Sequence, residues 1–205
     1  MSTVLFWFRN DLRLHDQPAL HAALASGATH LLPVVCLPAA DEITPWGFER
    51  VGPHRRAFVA AALRDLGERM AALGNPLQIC HVAHGTALPA LAQALGATTV
   101  VCEEIAAPCE QAEVAALRAR GLQVHTVWHS SLLQPTDMPW SVADLPGVFT
   151  PFRHAVESAG IAPPVPLPSP TTVLPPPSLA PGLLQTLGMA PAGAGQGIAT
   201  QHTAG

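Results

Sequence analysis

The stretch Val4–Leu20, VLFWFRNDLRLHDQPAL, decides how the rest of the chain is read. Val4 to Phe8 is a run of apolar and aromatic residues too short for a helix, and it reads as a buried strand. The run stops at Arg9. Four charged groups, Arg9, Asp11, Arg13 and Asp16, then fall within eight residues before an alanine- and leucine-rich helical pattern begins. This spacing puts them at the carboxyl end of a strand. In an open α/β sheet that edge is where ligands bind, because its loops line a crevice and the following helix offers its positive amino terminus. The same charges can equally pair with one another and fix the turn. Spacing does not separate the two readings.

Outward from this stretch the chain alternates between two periodicities. Asp16 is placed to cap a helix over about 17–26, with Pro18 in its first turn and Gly27 ending it. HLLPVVC, His30 to Cys36, is a second strand, and Pro33 within it suggests an edge position or a bulge. A loop follows from Leu37 to Pro53. Val59, Ala62, Leu63, Leu66, Met70 and Leu73 then recur at helical steps over 54–73. Gly74-Asn75-Pro76 ends that helix, and Leu77 to Val82 alternates as a third strand. A short helix over 86–95 leads to the β-branched strand TTVVC, Thr98 to Cys102, with Glu103 and Glu104 at its end. A fourth helix over 108–120 and the strand LQVHTVW, Leu122 to Trp128, complete the series.

Five strands alternating with four helices through short loops require parallel pairing and right-handed crossovers. The expected fold is therefore a doubly wound, five-stranded parallel α/β sheet, Rossmann-like, with a proline-rich carboxyl-terminal extension. No G-x-G-x-x-G follows the first strand, which argues against a conventional dinucleotide site there. The expected organisation is an α/β domain over 1–130, an exit loop and short helix over 131–160, and a Pro/Ala/Gly-rich segment over 161–205. That last segment carries hardly a charge and is expected to be extended or disordered.

The 205 residues carry a net charge of −4, which provides no general attraction to nucleic acid. Cys36, Cys80, Cys102 and Cys109 form no C-x-x-C pair and, with no secretory leader, read as reduced core residues of a cytoplasmic protein. No apolar run reaches the length that crosses a bilayer, and neither the cysteines nor the histidines show metal-ligand spacing. His15, His21, His30, His54, His81, His84, His125 and His129 are read as surface or satisfied-core groups, with no triad around them. Ser130 and Ser131 lack a G-x-S-x-G elbow. Trp7 and Trp128 are read as packing residues.

The residues WFRNDLRLHDQPAL resemble the opening of the photolyase/cryptochrome family, whose signature is W-F-R-x-D-L-R-x-x-D-N-x-A-L; Gln17 stands where asparagine is commonest. HSSLLQPTDMPW (129–140) and LPGVFTPFRHAVE (145–157) are similar to the segment that leaves the α/β domain in the cryptochrome-DASH branch. The resemblance implies an amino-terminal α/β domain whose linker wraps the surface toward a helical domain holding FAD and the DNA-binding cleft. It implies light-driven repair of cyclobutane pyrimidine dimers for the whole enzyme, with no catalytic residue in this part and DNA reached only through the helical domain.

It also implies an antenna chromophore, methenyltetrahydrofolate or alternatively a deazaflavin or FMN, held between the two domains. An acidic residue near the fourth strand would contact it, a role that falls to Glu110 first and Glu104 second, with Glu103 and Cys109 beside them. The surrounding A-P-C-E-Q departs from the family's E-P-x-x-R at Ala107 and Gln111. Arg9, Asp11, Arg13 and Asp16 become, on this reading, a turn lock and an interdomain docking surface for a separate helical FAD domain. A small nucleotide- or folate-binding module that docks a separate partner is the alternative.

Overall fold

The computed structural model describes residues 2–37, 43, 44 and 46–192. The five expected parallel strands are β1 (Thr3–Phe8), β2 (His30–Cys36), β3 (Gln78–Cys80), β4 (Thr99–Glu104) and β5 (Gln123–Trp128). A sixth, β6 (Met189–Pro191), runs antiparallel to β3 and gives the order β5-β4-β1-β2-β3-β6. The helices between them are α1 (Pro18–Leu24), α2 (Pro53–Ala72), α3 (His84–Leu95) and α4 (Pro108–Ala119), followed by α5 (Phe149–Ser158) and α6 (Pro181–Thr186).

Alternation along the strands divides the core in two. Val4, Phe6, Phe8, Leu31, Val35 and Val101 face α1 and α2, while Leu5, Trp7, Leu32, Val34, Val100 and Cys102 face α3, α4 and α6. β1 lies at the centre, flanked by β2 and β4, so its apolar run is buried on both sides. α1, α2 and α4 each begin with proline at the first helical position, where the missing N–H has no intrahelical acceptor in any case. Pro89, inside α3, is different: it withdraws the donor that the Gly85 carbonyl would receive four residues on, and the Arg120 guanidinium donates to that carbonyl instead.

The structure differs from the sequence reading at three places, all involving the segment after residue 160. Pro33 occupies an interior strand, paired with Phe6, with neither edge position nor bulge. The His30 N–H donates toward β1, to the Ser2 carbonyl, and the Leu31 N–H donates to the opposite side, to Pro175. Pro33 shares the phase of Leu31, so its missing donor faces the β3 side, where the ladder begins only at Val34.

Asp16 does not cap α1. Its backbone is left-handed (φ 50°), which aspartate tolerates. Gln17 holds the cap position without a side-chain bond, and Asp16 instead pairs with Leu167: its N–H donates to the Leu167 carbonyl and its Oδ1 accepts from the Leu167 N–H.

Finally, the proline-rich segment is part of the fold as far as Ala192. Residues 161–180 run without regular structure along α1 and β2, then α6 and β6 close the sheet edge with Leu187 and Met189 buried. Gly67 in α2 admits the Ala192 methyl where a Cβ would collide with it. The end of the tail, 193–205, lies outside the described residues.

Asn75 fastens this strap. Fully buried in the bend after α2, it donates through Nδ2 to the carbonyls of Leu31 and Leu174, both at 2.8 Å. Asn75→Ala leaves two carbonyls short of a donor and should destabilise the fold by about 2 kcal/mol, read as a lower urea midpoint at unchanged slope. An unshifted midpoint would mean that the strap is not held there.

Candidate functional site

Three strand ends and the loops that follow them gather the charged residues at the carboxyl edge of the sheet. Arg9 leaves β1 on the α4 side, and its side chain is only 4% exposed. Nη1 donates to the Glu103 carbonyl (3.3 Å), and Nη2 donates to the Glu110 carbonyl (3.1 Å) and to Glu113 Oε2 (2.7 Å). The guanidinium lies over the Trp7 ring at 4.6 Å, and His84 stacks on the same indole at 4.9 Å. Arg50 reaches the other oxygen of Glu113 at 3.7 Å.

Asp11, one turn of loop further, sits on the α1 side. Its Oδ1 pairs with Arg13 Nε (3.2 Å) and its Oδ2 with His129 Nε2 (3.0 Å). The other ring nitrogen of His129 faces the Val127 carbonyl at 3.1 Å. Both nitrogens therefore meet acceptors, an arrangement that only the doubly protonated ring satisfies. Burial is the largest influence on His129 and pushes its pKa down, but the Asp11 hydrogen bond, the Glu103 and Asp11 charges and the Val127 carbonyl together hold it above the ordinary value. Glu103, buried at the end of β4, is pushed up chiefly by desolvation and secondarily by Asp11, against the lowering effects of His129, Arg9 and the Asn10 N–H. Its Oε2 is buried without a hydrogen-bond partner among the described residues.

The sequence-derived candidates thus divide between two faces. Glu103 belongs to the Asp11–His129 cluster on the α1 side. Glu104 points to the α4 side, where its Oε2 accepts from the Thr126 hydroxyl (3.2 Å), and Glu110 lies half-buried in the first turn of α4 beside the exposed Cys109. Arg13 and Asp16 close the turn itself, Arg13 Nη2 donating to the Asp16 carbonyl at 2.9 Å. Cys109 is thereby an exception to the reading of all four cysteines as core residues; its place on an exposed helical turn is the reason. His129 and Glu113 were not singled out from sequence. His129 immediately follows β5 and Glu103 is the penultimate residue of β4, and that shared position at the sheet edge is the available signal.

Arg9, Glu104, Ile105, Glu110, Arg118 and Thr126 border a niche of about 50 Å³. That is room for a water molecule or two at ~30 Å³ each, and a pterin does not fit within it. A larger groove of about 580 Å³ lies at the opposite, amino edge against β4 and β5, bordered by residues such as Ser26, Thr99, Val101 and His125. No arginine, lysine or acidic residue is among the described residues that line it, so any anion there would be met by hydroxyl, imidazole and backbone N–H groups alone. Among the described residues no helix is long and apolar enough to cross a membrane.

The chain is thus a doubly wound α/β sheet whose first strand runs into an R-N-D-L-R turn and whose carboxyl-terminal strap returns along the β3 edge. The model of the DNA photolyase family matches residues 4–171, and the chain belongs to that family. It is 36% identical over 197 residues to cryptochrome DASH of Synechocystis sp., covering 87% of this chain and 40% of that protein. The crystal structure of the Synechocystis cryptochrome superposes with a TM-score of 0.80 at 33% identity, over 86% of this chain and 38% of that one. A bacterial class III photolyase from Agrobacterium tumefaciens gives 0.72 at 27% identity, over 88% and 36%. The chain therefore spans about two-fifths of the length of the curated relatives it matches.

The cluster makes stability depend on pH in a definite direction. The folded pKa of His129 lies above its unfolded value of about 6.5, so its contribution is fully present below that pH and is lost as pH rises through the folded value. Glu103, also raised, adds the same sign from about pH 4.5 upward, because the folded state binds the extra proton. Urea unfolding of the protein should show stability falling between these values and the alkaline side, and His129→Gln should flatten the upper part of the profile. A profile unchanged by that substitution would show that His129 is not the titrating group.

Proposed function

We propose that this chain is the α/β unit of a DASH-type photolyase or cryptochrome, which docks a helical flavin-binding unit and provides one wall of an antenna-chromophore site without catalysing a reaction itself. The observation that carries this reading is the incomplete niche at the carboxyl edge. Its polar groups converge, with Glu104, Glu110, Arg118 and Thr126 at its border, yet it holds only about 50 Å³. A convergent polar wall with no opposite wall is what an interdomain site looks like from one side.

Exposed apolar side chains support docking. Trp46 (78% exposed), Phe48, Phe58, Leu145, Val148 and Phe149 stand exposed to solvent and are available to a partner surface. Trp46 and Phe48 stack on each other at 6.1 Å, and Phe149 and Phe152 at 6.3 Å.

In this assembly Glu110 and Glu104 would accept hydrogen bonds from an amino-bearing heterocycle such as methenyltetrahydrofolate, and Arg9 would keep the turn below them rigid. FAD, the DNA lesion and the light-driven electron transfer would belong to the helical unit. The second reading, a free-standing nucleotide- or folate-binding module, requires a cavity within this chain large enough for its ligand.

Absorption spectroscopy separates the two. The purified chain, mixed with FAD or methenyltetrahydrofolate and then desalted, should retain neither chromophore. Adding the helical portion of the Synechocystis relative should restore retention of the folate band, and Glu110→Gln should weaken it about tenfold, the loss of one charge-assisted hydrogen bond. Stoichiometric flavin retained by the chain alone would overturn this assignment.

A further inference from the structure

The carboxyl edge also brings together two thiols that the proposed docking function does not use. Cys36 ends β2 and Cys80 ends β3, and the two are direct partners in the parallel ladder. Both side chains face the α3 and α6 layer, Cys80 fully buried and Cys36 half-buried at the rim. Neighbouring strands lie about 4.8 Å apart, within the range of roughly 4.4–6.8 Å that Cα atoms joined by a disulfide adopt. β3 is only three residues long and β2 ends at this pair, so little regular sheet resists the small approach that bonding needs.

The thiols are joined by a hydrogen bond. Each thiol is the main influence on the other's acidity: the neighbouring Cys36 lowers Cys80 to about 7, and Cys80 together with burial raises Cys36. Cys80 in turn donates to the Leu187 carbonyl at 3.2 Å, which ties it to the turn between α6 and β6. Packing alone would account for two small apolar residues at strand ends. It does not account for their direct register and the contact with the strap occurring together.

We propose that Cys36 and Cys80 form a modification site at which a hydroperoxide converts the two thiols to a cross-strand disulfide, releasing the Leu187 carbonyl and loosening the α6–β6 strap. Cys36 is the sulfur a solvent oxidant reaches. When the pair loses one proton the charge rests mainly on Cys80, but only Cys36 meets the oxidant, so reaction runs through the minor form in which the remaining proton sits on Cys80: the Cys36 thiolate attacks the peroxide, forming an S–O bond and expelling hydroxide, which is protonated to water. Cys80 then attacks the Cys36 sulfur; the S–S bond forms, the S–O bond breaks, and the departing hydroxide takes the Cys80 proton. Two thiols and one hydrogen peroxide give one disulfide and two waters, the sulfurs supplying the two electrons.

The remaining cysteines provide internal controls. Cys102 is buried, and desolvation, its largest influence, pushes it up to about 11 despite Arg9 and Arg118. Cys109 is exposed with no thiol partner among the described residues.

The reduced full chain is treated with hydrogen peroxide, alkylated under denaturing conditions and mapped by mass spectrometry. The expected product has lost two hydrogens in one linked peptide pair containing Cys36 and Cys80, with Cys102 still alkylated. Backbone amides of 181–191 should exchange at least tenfold faster in the oxidised form. Cys80→Ser, which keeps a donor for Leu187, should abolish the cross-link and leave Cys36 as a sulfenic acid open to capture by a dione probe. Were that variant not to fold, the map of the unsubstituted chain decides alone. Either of two results overturns the proposal: Cys36 and Cys80 both remaining alkylatable at peroxide levels that oxidise Cys109, or a linked pair whose strap exchanges at the reduced rate.

Discussion

A guanidinium withdrawn from water at the end of the central strand has to find acceptors, or the sheet edge cannot close around it. Arg9 finds three of them in two segments: the Glu103 carbonyl in β4, and the Glu110 carbonyl and Glu113 carboxylate in α4. The Trp7 ring supplies the remaining surface. One side chain thus fixes where β1, β4 and α4 stand relative to one another. Lysine could not reproduce this, since the contacts use two nitrogens of a planar fork and stack its face on an indole.

On the other face of the sheet the corresponding task falls to an ion cluster with no single centre. Asp11 accepts from His129 and Arg13, and Glu103 lies beneath them with one oxygen unpartnered among the described residues. A neutral histidine would leave either Asp11 or the Val127 carbonyl facing a lone pair. The favourable arrangement is the charged ring between two carboxyl groups, and this is why burial does not succeed in pushing the His129 proton off. Loop, β4 and β5 are held by charge here, whereas α1 and α2 below them are held by apolar contact.

What the sequence makes legible follows from the range of the forces involved. Val4–Phe8, Leu63-Leu66-Met70 and Val100-Val101-Cys102 carry their periodicity within a few residues, so all five parallel strands and the four crossover helices can be read locally. Pro33, Asp16 and β6 cannot, because each depends on a segment about a hundred residues or more away that contacts them only after folding: Pro175 beside Leu31, Leu167 beside Asp16, Leu187 beside Cys80. A low-charge, proline-rich composition is a sound sign of a segment that cannot form its own core. It says nothing about whether that segment completes another one, and here Leu174, Leu187 and Met189 do so. In the candidate site, clustered charge exposes Arg9, Asp11, Arg13 and Asp16, while His129 and Glu113 are single polar residues whose partners are distant in sequence.

The two faces of the carboxyl edge consequently have different capacities. On the α1 side Asp11, Arg13 and His129 are spent on one another, and Glu103 is buried beneath them with one oxygen unpartnered among the described residues. On the α4 side Glu104 gives one oxygen to Thr126, and Glu110 is engaged by Arg9 through its backbone carbonyl while the residue itself borders the niche. The niche there is small because α4 and β5 form a floor and one side of it, and no described residue closes it opposite. The distribution of paired and unpaired acids, more than the number of acids, therefore argues that the chemistry of this edge is shared with a surface beyond it.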